Sequence, residues 1–264
     1  MTFQGFPHLV DRPWPDVGHP VVLVPVGSTE QHGPHLPLDT DAIIASAVAD
    51  ALADRYRTDG TDAVVAPAVA VGASGEHRGF PGTLSIGTET LTMLLVELGR
   101  SAGEWAERLV LVNGHGGNVE ALSTAVLTLI GEGRSTVWVP CDPASVAGIG
   151  VPVDAHAGRS ETSIMQALCA SRVRADRFEA GETRPIGLIL PELRASGVRG
   201  VAPNGVLGDP HGASAAEGEA LLQAMIAEAW ARLRFGRVDA RGCVVLEVGR
   251  GVAVSSDPTA GTIS

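Results

Sequence analysis

Short apolar runs rich in valine recur along the chain at Val21 to Val26, Ala63 to Val71, Arg108 to Val112 and Thr136 to Val139. Each is continuous rather than alternating, which predicts strands buried on both faces. The first is interrupted only by Pro25 and stops at Gly27. Between and after these runs, apolar residues fall at helical spacing over Ala42 to Tyr56, Glu89 to Ala106, Val119 to Ile130, Thr162 to Ala170 and Ala215 to Leu233. Strands alternating with helices predict an α/β fold, a mostly parallel central sheet with helices on both faces and ligands at the carboxyl edge of the strands. No internal repeat interrupts the pattern, so residues 1–235 are expected to form a single domain. Residues 236–264 read as a C-terminal extension: Cys243 to Val248 and Val252 to Val254 suit a hairpin, and the Ser, Thr, Pro and Gly ending suits a disordered tail.

At 264 residues with 45% hydrophobic content the chain can bury a sizeable core. Its 30 acidic and 19 basic side chains give a formal charge of -11, and every basic residue is arginine. Such a surplus repels a phosphate backbone or an anionic bilayer, and no arginine stripe offsets it locally. Nucleic acid and membrane surfaces are therefore excluded as partners. No apolar run approaches the roughly 20 residues that span a bilayer, and Met1 to Val17 lacks the pattern of a signal peptide. Cys141, Cys169 and Cys243 are odd in number and widely spaced, which argues against a disulfide framework or a thiolate zinc site and for a reducing cytoplasm. The absence of lysine removes Schiff-base, pyridoxal and P-loop chemistry, although biased base composition accounts for it without any mechanism.

The histidines give the chain its candidate chemistry. Glu30 and His32 are two apart, so in an extended segment they project to one side, and Asp41 opens the helix that follows. His115 stands in a glycine-rich turn after a strand, and His156 and Glu161 frame a short turn before another helix. Carboxylates and imidazoles gathered in a few loops at one sheet edge form the N/O donor set that zinc, iron(II) or manganese accepts. Glu76 and His77 either face substrate or lie exposed in their loop. Asp39 reads as a turn or helix-capping residue, and His35, between Pro34 and Pro37, as a loop buttress. Asn118 either caps a turn or supports His115 from behind. Gly27-Ser28-Thr29 and Gly158-Arg159-Ser160 do not match the G-x-S-x-G elbow of serine hydrolases, and the Gly114 to Gly117 turn lacks dinucleotide-binding spacing.

In these residues the sequence resembles the creatininase (creatinine amidohydrolase) family. The motifs are Glu30-Gln-His32-Gly-Pro-His-Leu-Pro, Asp41, Phe80-Pro-Gly-Thr83, Asn113-Gly-His115, and His156-Ala-Gly followed by Glu161-Thr-Ser, within roughly Val21 to Leu233. The resemblance implies two divalent metal ions per subunit at the carboxyl edge of the sheet and a homo-oligomer. It makes Glu30, His32, Asp41 and His115 metal ligands, with Asp41 the bridge. Creatinine-hydrolysing members carry a ligand glutamate where this chain has Gly117; Glu161 matches the glutamate that other branches offer, which makes it the fifth ligand. His156 is then the candidate proton shuttle to the leaving nitrogen, or else a residue that orients Glu161 or a metal-bound water.

Gly72-Ala-Ser-Gly-Glu-His77, Asn113 to Leu122 and Gly205-Val-Leu-Gly-Asp-Pro210 bring the sequence nearer to the mycofactocin-system branch. That branch implies a peptidase acting on a ribosomally made, radical-modified precursor peptide and releasing its C-terminal Val-Tyr-derived residue pair. The alternatives are a hydrolase of a small cyclic amide or formamide, and a non-catalytic, metal-stabilised peptide-binding protein.

Overall fold

The computed structural model describes residues 7–143 and 154–246. Strand β1 (Val21–Val26) pairs in parallel with β2 (Ala63–Val65) on one side and β3 (Arg108–Asn113) on the other, and β4 (Thr136–Pro140) completes the order β2-β1-β3-β4. Helix α1 (Thr40–Thr58) links β1 to β2, α2 (Gly87–Ala102) links β2 to β3, and α3 (Val119–Gly131) links β3 to β4. Helices α4 (Arg159–Cys169), α5 (Ile186–Val201) and α6 (Ala215–Phe235) follow. The α/β reading of the sequence thus matches the architecture.

Alternation along the strands divides the core into two layers. Val21 and Leu23 of β1 and Val110 and Val112 of β3 pack with α1, α4 and α6. Val22, Val24 and Val26 of β1 and Leu109 and Leu111 of β3 pack with α2 and α3. Both faces of each inner strand are therefore dry, which explains the unbroken apolar runs.

Several expected boundaries shift for local reasons. The run from Ala63 to Val71 is a strand only as far as Val65, because Pro67 lacks a donor for the ladder; Val69 returns as an isolated bridge to Val26. Helix α2 stops at Ala102, before Gly103. Helix α4 starts at Arg159, with the Asp154 carboxylate accepting from the Arg159 N–H, so Glu161 lies in its first turn rather than in the turn before it. Helix α5 is absent from the hydrophobic reading, since Gly187, Pro191 and Gly197 break the pattern; Gly197, at φ 68°, marks a kink within it. Asp39 occupies the N-cap position of α1 without a capping bond and pairs instead with Arg172 at 2.7 Å.

The ends of the described chain pack against the outer strands. The Val65 N–H donates to the Pro7 carbonyl, and His8 bridges Val65. Strands β5 (Arg237–Val238) and β6 (Val244–Val245) form a small antiparallel hairpin. It lies along β4, where Cys243 bridges Trp138 and the Trp138 indole donates to the Arg241 carbonyl at 2.9 Å. The last Val-rich run and the expected disordered tail fall outside the described residues.

Strands β1 and β3 are neighbours whose connections leave in opposite directions, α1 to one face and α3 to the other. That switch point opens a crevice at their carboxyl ends. Two glycines let α1 close onto it. A Cβ at Gly27 would lie 2.5 Å from the Ala42 nitrogen, and one at Gly114 would lie 2.7 Å from the Asp41 carbonyl oxygen. Gly114→Ala should accordingly cost about 1–3 kcal/mol in urea unfolding. Gly131→Ala, where a methyl group meets nothing, should leave stability unchanged or slightly raised, and equal effects at the two positions would contradict this account.

Candidate metal centre

The loop after β1 carries Glu30 and His32, the first turn of α1 carries Asp41, and the turn after β3 carries His115. All four are buried. His32 Nε2 lies 3.0 Å from Asp41 Oδ1, and His115 Nδ1 lies 3.3 Å from Asp41 Oδ2. His115 Nε2 lies 3.2 Å from Glu30 Oε2. Glu161, half-buried on α4, completes a trio with His32 and Asp41, while Glu30, Asp41 and His115 form another; within each trio the candidate ligand atoms lie no more than 4.8 Å apart. The two trios share Asp41, one oxygen facing each histidine. Glu30, His32 and His156 make a third group of the same spacing.

The charges in this cluster suit a cation. Both ring nitrogens of His32 face oxygen, Nδ1 the Glu30 carbonyl at 3.1 Å and Nε2 the Asp41 carboxylate, an arrangement that only a doubly protonated ring satisfies without metal. Burial opposes that charge, but Asp41 overcomes it and pushes His32 up to about 10. Burial likewise works against a charged His115, which the Glu30 and Asp41 carboxylates raise well above the usual imidazole range. Burial raises Glu30 and Glu161 to about 7 each. Asp41 goes the other way: burial acts to raise it, but His32 and His115 hold its carboxyl well below the usual range. Glu30 Oε1 and Asp41 Oδ2 are buried oxygens without a hydrogen bond. Unpaired oxygens aimed among imidazoles fit a divalent ion that replaces the ring protons.

The remaining candidates surround this cluster. His77 is buried, with Nε2 3.1 Å from Glu30 Oε1; burial and then His115 lower it to about 3. His156 is buried, Nδ1 3.8 Å from Glu30 Oε1, and burial followed by the charge of His32 keeps it well below the ordinary imidazole value. Glu76 is partly exposed and lies 3.3 Å from His115 Nε2. Asn118 clamps the loops, its side chain accepting from the Ala73 N–H and donating to the Gly27 carbonyl, each at 2.9 Å. The backbone of His115 is held instead by Asn113, whose side chain donates to the His115 carbonyl at 2.9 Å. His35 stands apart, 2.9 Å from the Thr162 hydroxyl, and His211 is exposed beside Asp209.

Three contributors have no place in the sequence reading. Ser28 donates to Glu30 Oε2 at 2.9 Å and contacts Ser74, and Gln31 touches both His77 and His156. Gln31 stands inside the Glu-Gln-His motif, which was the available signal. Ala157, between His156 and the α4 turn, has φ 53° and donates its N–H to Glu161 Oε2 at 2.6 Å, a bond that helps hold the unusual backbone.

Asp41, His115 and Glu161 line a cavity of about 520 Å³ together with Ile186, Leu190 and Leu193 of α5. Burial pushes the Cys141 thiol at its edge far up, which leaves it inert as a nucleophile.

A parallel sheet with buried carboxylates and imidazoles at its switch point, opening on a cavity, defines a metallohydrolase-type α/β site. Residues 12–233 match the family model described as creatinine amidohydrolase. The chain belongs to the creatininase family, whose members are metal-dependent amidohydrolases. It is 52% identical over 225 residues, 84% of this chain and 88% of the other, to the mycofactocin precursor peptide peptidase of Mycolicibacterium smegmatis. It is 33% identical over 184 residues, 61% of this chain and 68% of the other, to the creatinine amidohydrolase of Pseudomonas putida. Among solved structures, a mutant creatininase of the Zn-Zn type aligns with a TM-score of 0.66 at 27% identity, and a manganese creatininase with 0.65 at 27%, each over 84% of this chain and 95% of the other. No helix among the described residues is long and apolar enough to cross a membrane.

Because Glu30, Glu161, His32 and His115 hold protons near neutrality in the metal-free protein, cation binding must release them. The apparent affinity for zinc should climb as pH rises through about 7, and calorimetry in buffers of different ionisation enthalpy should register the protons released. Without metal the raised carboxyls act in the opposite sense: folded Glu161 stays protonated up to about 7 against 4.5 ordinarily, so its contribution to stability falls as pH rises across that interval. An affinity independent of pH would contradict the charge assignment.

Proposed function

We propose that the protein is a metal-dependent peptidase that cleaves a modified mycofactocin precursor peptide and releases its C-terminal Val-Tyr-derived residue pair. The pair of donor trios sharing Asp41 carries the hydrolytic part of this reading, and the identity to the Mycolicibacterium peptidase supports the substrate. Glu30, Asp41 and His115 would hold one divalent ion and His32, Asp41 and Glu161 a second, as iron(II), zinc or manganese. When bound, such ions polarise an amide carbonyl and acidify water from a pKa of 15.7 to about 7.

The chain's own residues supply position and proton transfer. Asp41 fixes the spacing of the two ligand sets through its two oxygens. His156 donates from Nε2 to the Gln31 carbonyl at 2.8 Å, which leaves Nδ1 free to take up a proton and pass it to the leaving nitrogen. Its low basicity, set by burial and by His32, makes the protonated ring a strong acid at that step. The apolar face of α5 restricts water and gives the apolar side chains of a peptide a surface to rest on. In this reading the protein acts in the cytoplasm, in keeping with its free cysteines, as a homo-oligomer; the exposed Met93 and Leu98 of α2 and Leu127 and Ile130 of α3 support association.

Hydrolysis of creatinine fits less well. A Cβ at position 117 would lie 2.5 Å from both Glu76 Oε1 and His115 Nε2, and closer still to the Ala73 carbonyl oxygen. The turn therefore has no room for the glutamate that creatinine-hydrolysing members carry there.

Glu30→Ala or His115→Ala should abolish both stoichiometric metal and hydrolysis. His156→Ala should keep the metal and lose about 10²- to 10⁴-fold in kcat. Metal analysis beside assays on the modified precursor peptide, creatinine and a formamide checks this. Full activity in a variant shown to be free of metal would overturn the mechanism, and preferential turnover of creatinine or the formamide would overturn the substrate.

A further inference from the structure

Gln31 lies between Glu30 and His32 in sequence, yet its buried side chain reaches two imidazoles carried by other loops. Two backbone groups of opposite kind fix its amide. The Gly33 N–H donates to Oε1 at 2.9 Å, and Nε2 donates to the Gly205 carbonyl at 3.0 Å. Exchanging oxygen and nitrogen would set donor against donor and acceptor against acceptor. With one Nε2 proton committed to Gly205, the other goes to His77 Nδ1 at 2.8 Å and not to His156 Nε2 at 3.1 Å, which carries a proton of its own for the Gln31 carbonyl. That ring nitrogen must accept, so the His77 proton sits on Nε2, the atom beside Glu30 Oε1.

The carbonyl of the same residue acts on the second ring. It accepts from His156 Nε2 at 2.8 Å, which leaves His156 Nδ1 as a bare lone pair near the same Glu30 oxygen. The two rings stand 4.4 Å apart between centroids. One residue thus presents a proton donor and a proton acceptor side by side to the cavity.

We propose that Gln31 is a positioning residue that fixes the tautomers of two imidazoles, holding His77 as an Nε2–H donor and His156 with its Nδ1 lone pair free. Gly205 belongs to the same device. It has φ 82°, and a Cβ there would overlap the Gln31 side-chain oxygen. The tautomer assignment stands on geometry alone; its kinetic consequence rests on the amidohydrolase reading. In that setting His77 offers a hydrogen bond to a substrate oxygen gaining negative charge, while His156 accepts the proton that must move.

Nitrogen-15 spectra of the histidine side chains, recorded on the full chain before and after loading with zinc, should show both His77 and His156 protonated on Nε2. A wild-type His77 protonated on Nδ1 overturns the proposal outright. Gln31→Glu, whose carboxylate only accepts, should move the His77 proton to Nδ1. It should also lower kcat on the modified precursor peptide roughly 10- to 100-fold, with KM and zinc content within about twofold of wild type. Gly205→Ala, which displaces the same amide, should give the same spectral change. A folded Gln31→Glu protein with unchanged tautomers and unchanged kcat also overturns it. If the wild-type protein hydrolyses none of the three substrates, the amidohydrolase reading falls, and the spectra still decide the tautomers.

Discussion

The structure turns on carboxylates placed out of water with imidazoles as their neighbours. An isolated ionised carboxylate transferred to an apolar interior costs roughly tens of kcal/mol before its pKa adjusts. Here Glu30 and Asp41 are buried together and Glu161 half-buried beside them; Arg159, the arginine adjacent in sequence to this last group, pairs with Glu217 instead. The site therefore balances its own charge by protonating Glu30, Glu161 and two rings, or by exchanging those protons for cations. The glycines at the ends of β1 and β3, the position of Asp41 at the positive end of α1, and the loop clamps made by Asn118 all hold this group together.

Much of this was legible in the chain itself. Unbroken valine runs marked strands dry on both faces, and the strand-helix alternation placed ligands at the carboxyl edge, where Glu30, His32, Asp41 and His115 meet. What periodicity could not supply was α5: Gly187, Pro191 and Gly197 are poor helix residues, and the helix is held by contacts to distant parts of the chain, as with the Arg199 guanidinium donating to the Gly79 carbonyl. Spacing alone also could not show that Gln31, flanked by two ligand candidates, faces away from them toward His77 and His156. Tertiary contacts likewise turned Asp39 from a cap into a partner of Arg172 and brought Glu161 into the helix.

The Gly72 to His77 loop and the Gly114 to Gly117 turn are adapted to each other. Glu76 lies against the space beside Gly117 and reaches His115, so a carboxylate borders that histidine from a segment remote in sequence from its own turn. The position at which the resemblance gives creatinine-hydrolysing members a glutamate is here bare backbone, Gly117. The change alters the cavity wall without emptying the neighbourhood of negative charge, a route by which one scaffold can admit different amides.

The packing of Pro7 and His8 on β2, and of the β5–β6 hairpin on β4, has a consequence for quaternary architecture. Both borders of the four-stranded sheet have neighbours from the chain's own ends, so the sheet does not readily extend across a subunit boundary by strand addition. Strand addition at either border would first have to displace these segments, so the carboxyl edge, and with it the mouth of the cavity, is bounded by this chain's own packing.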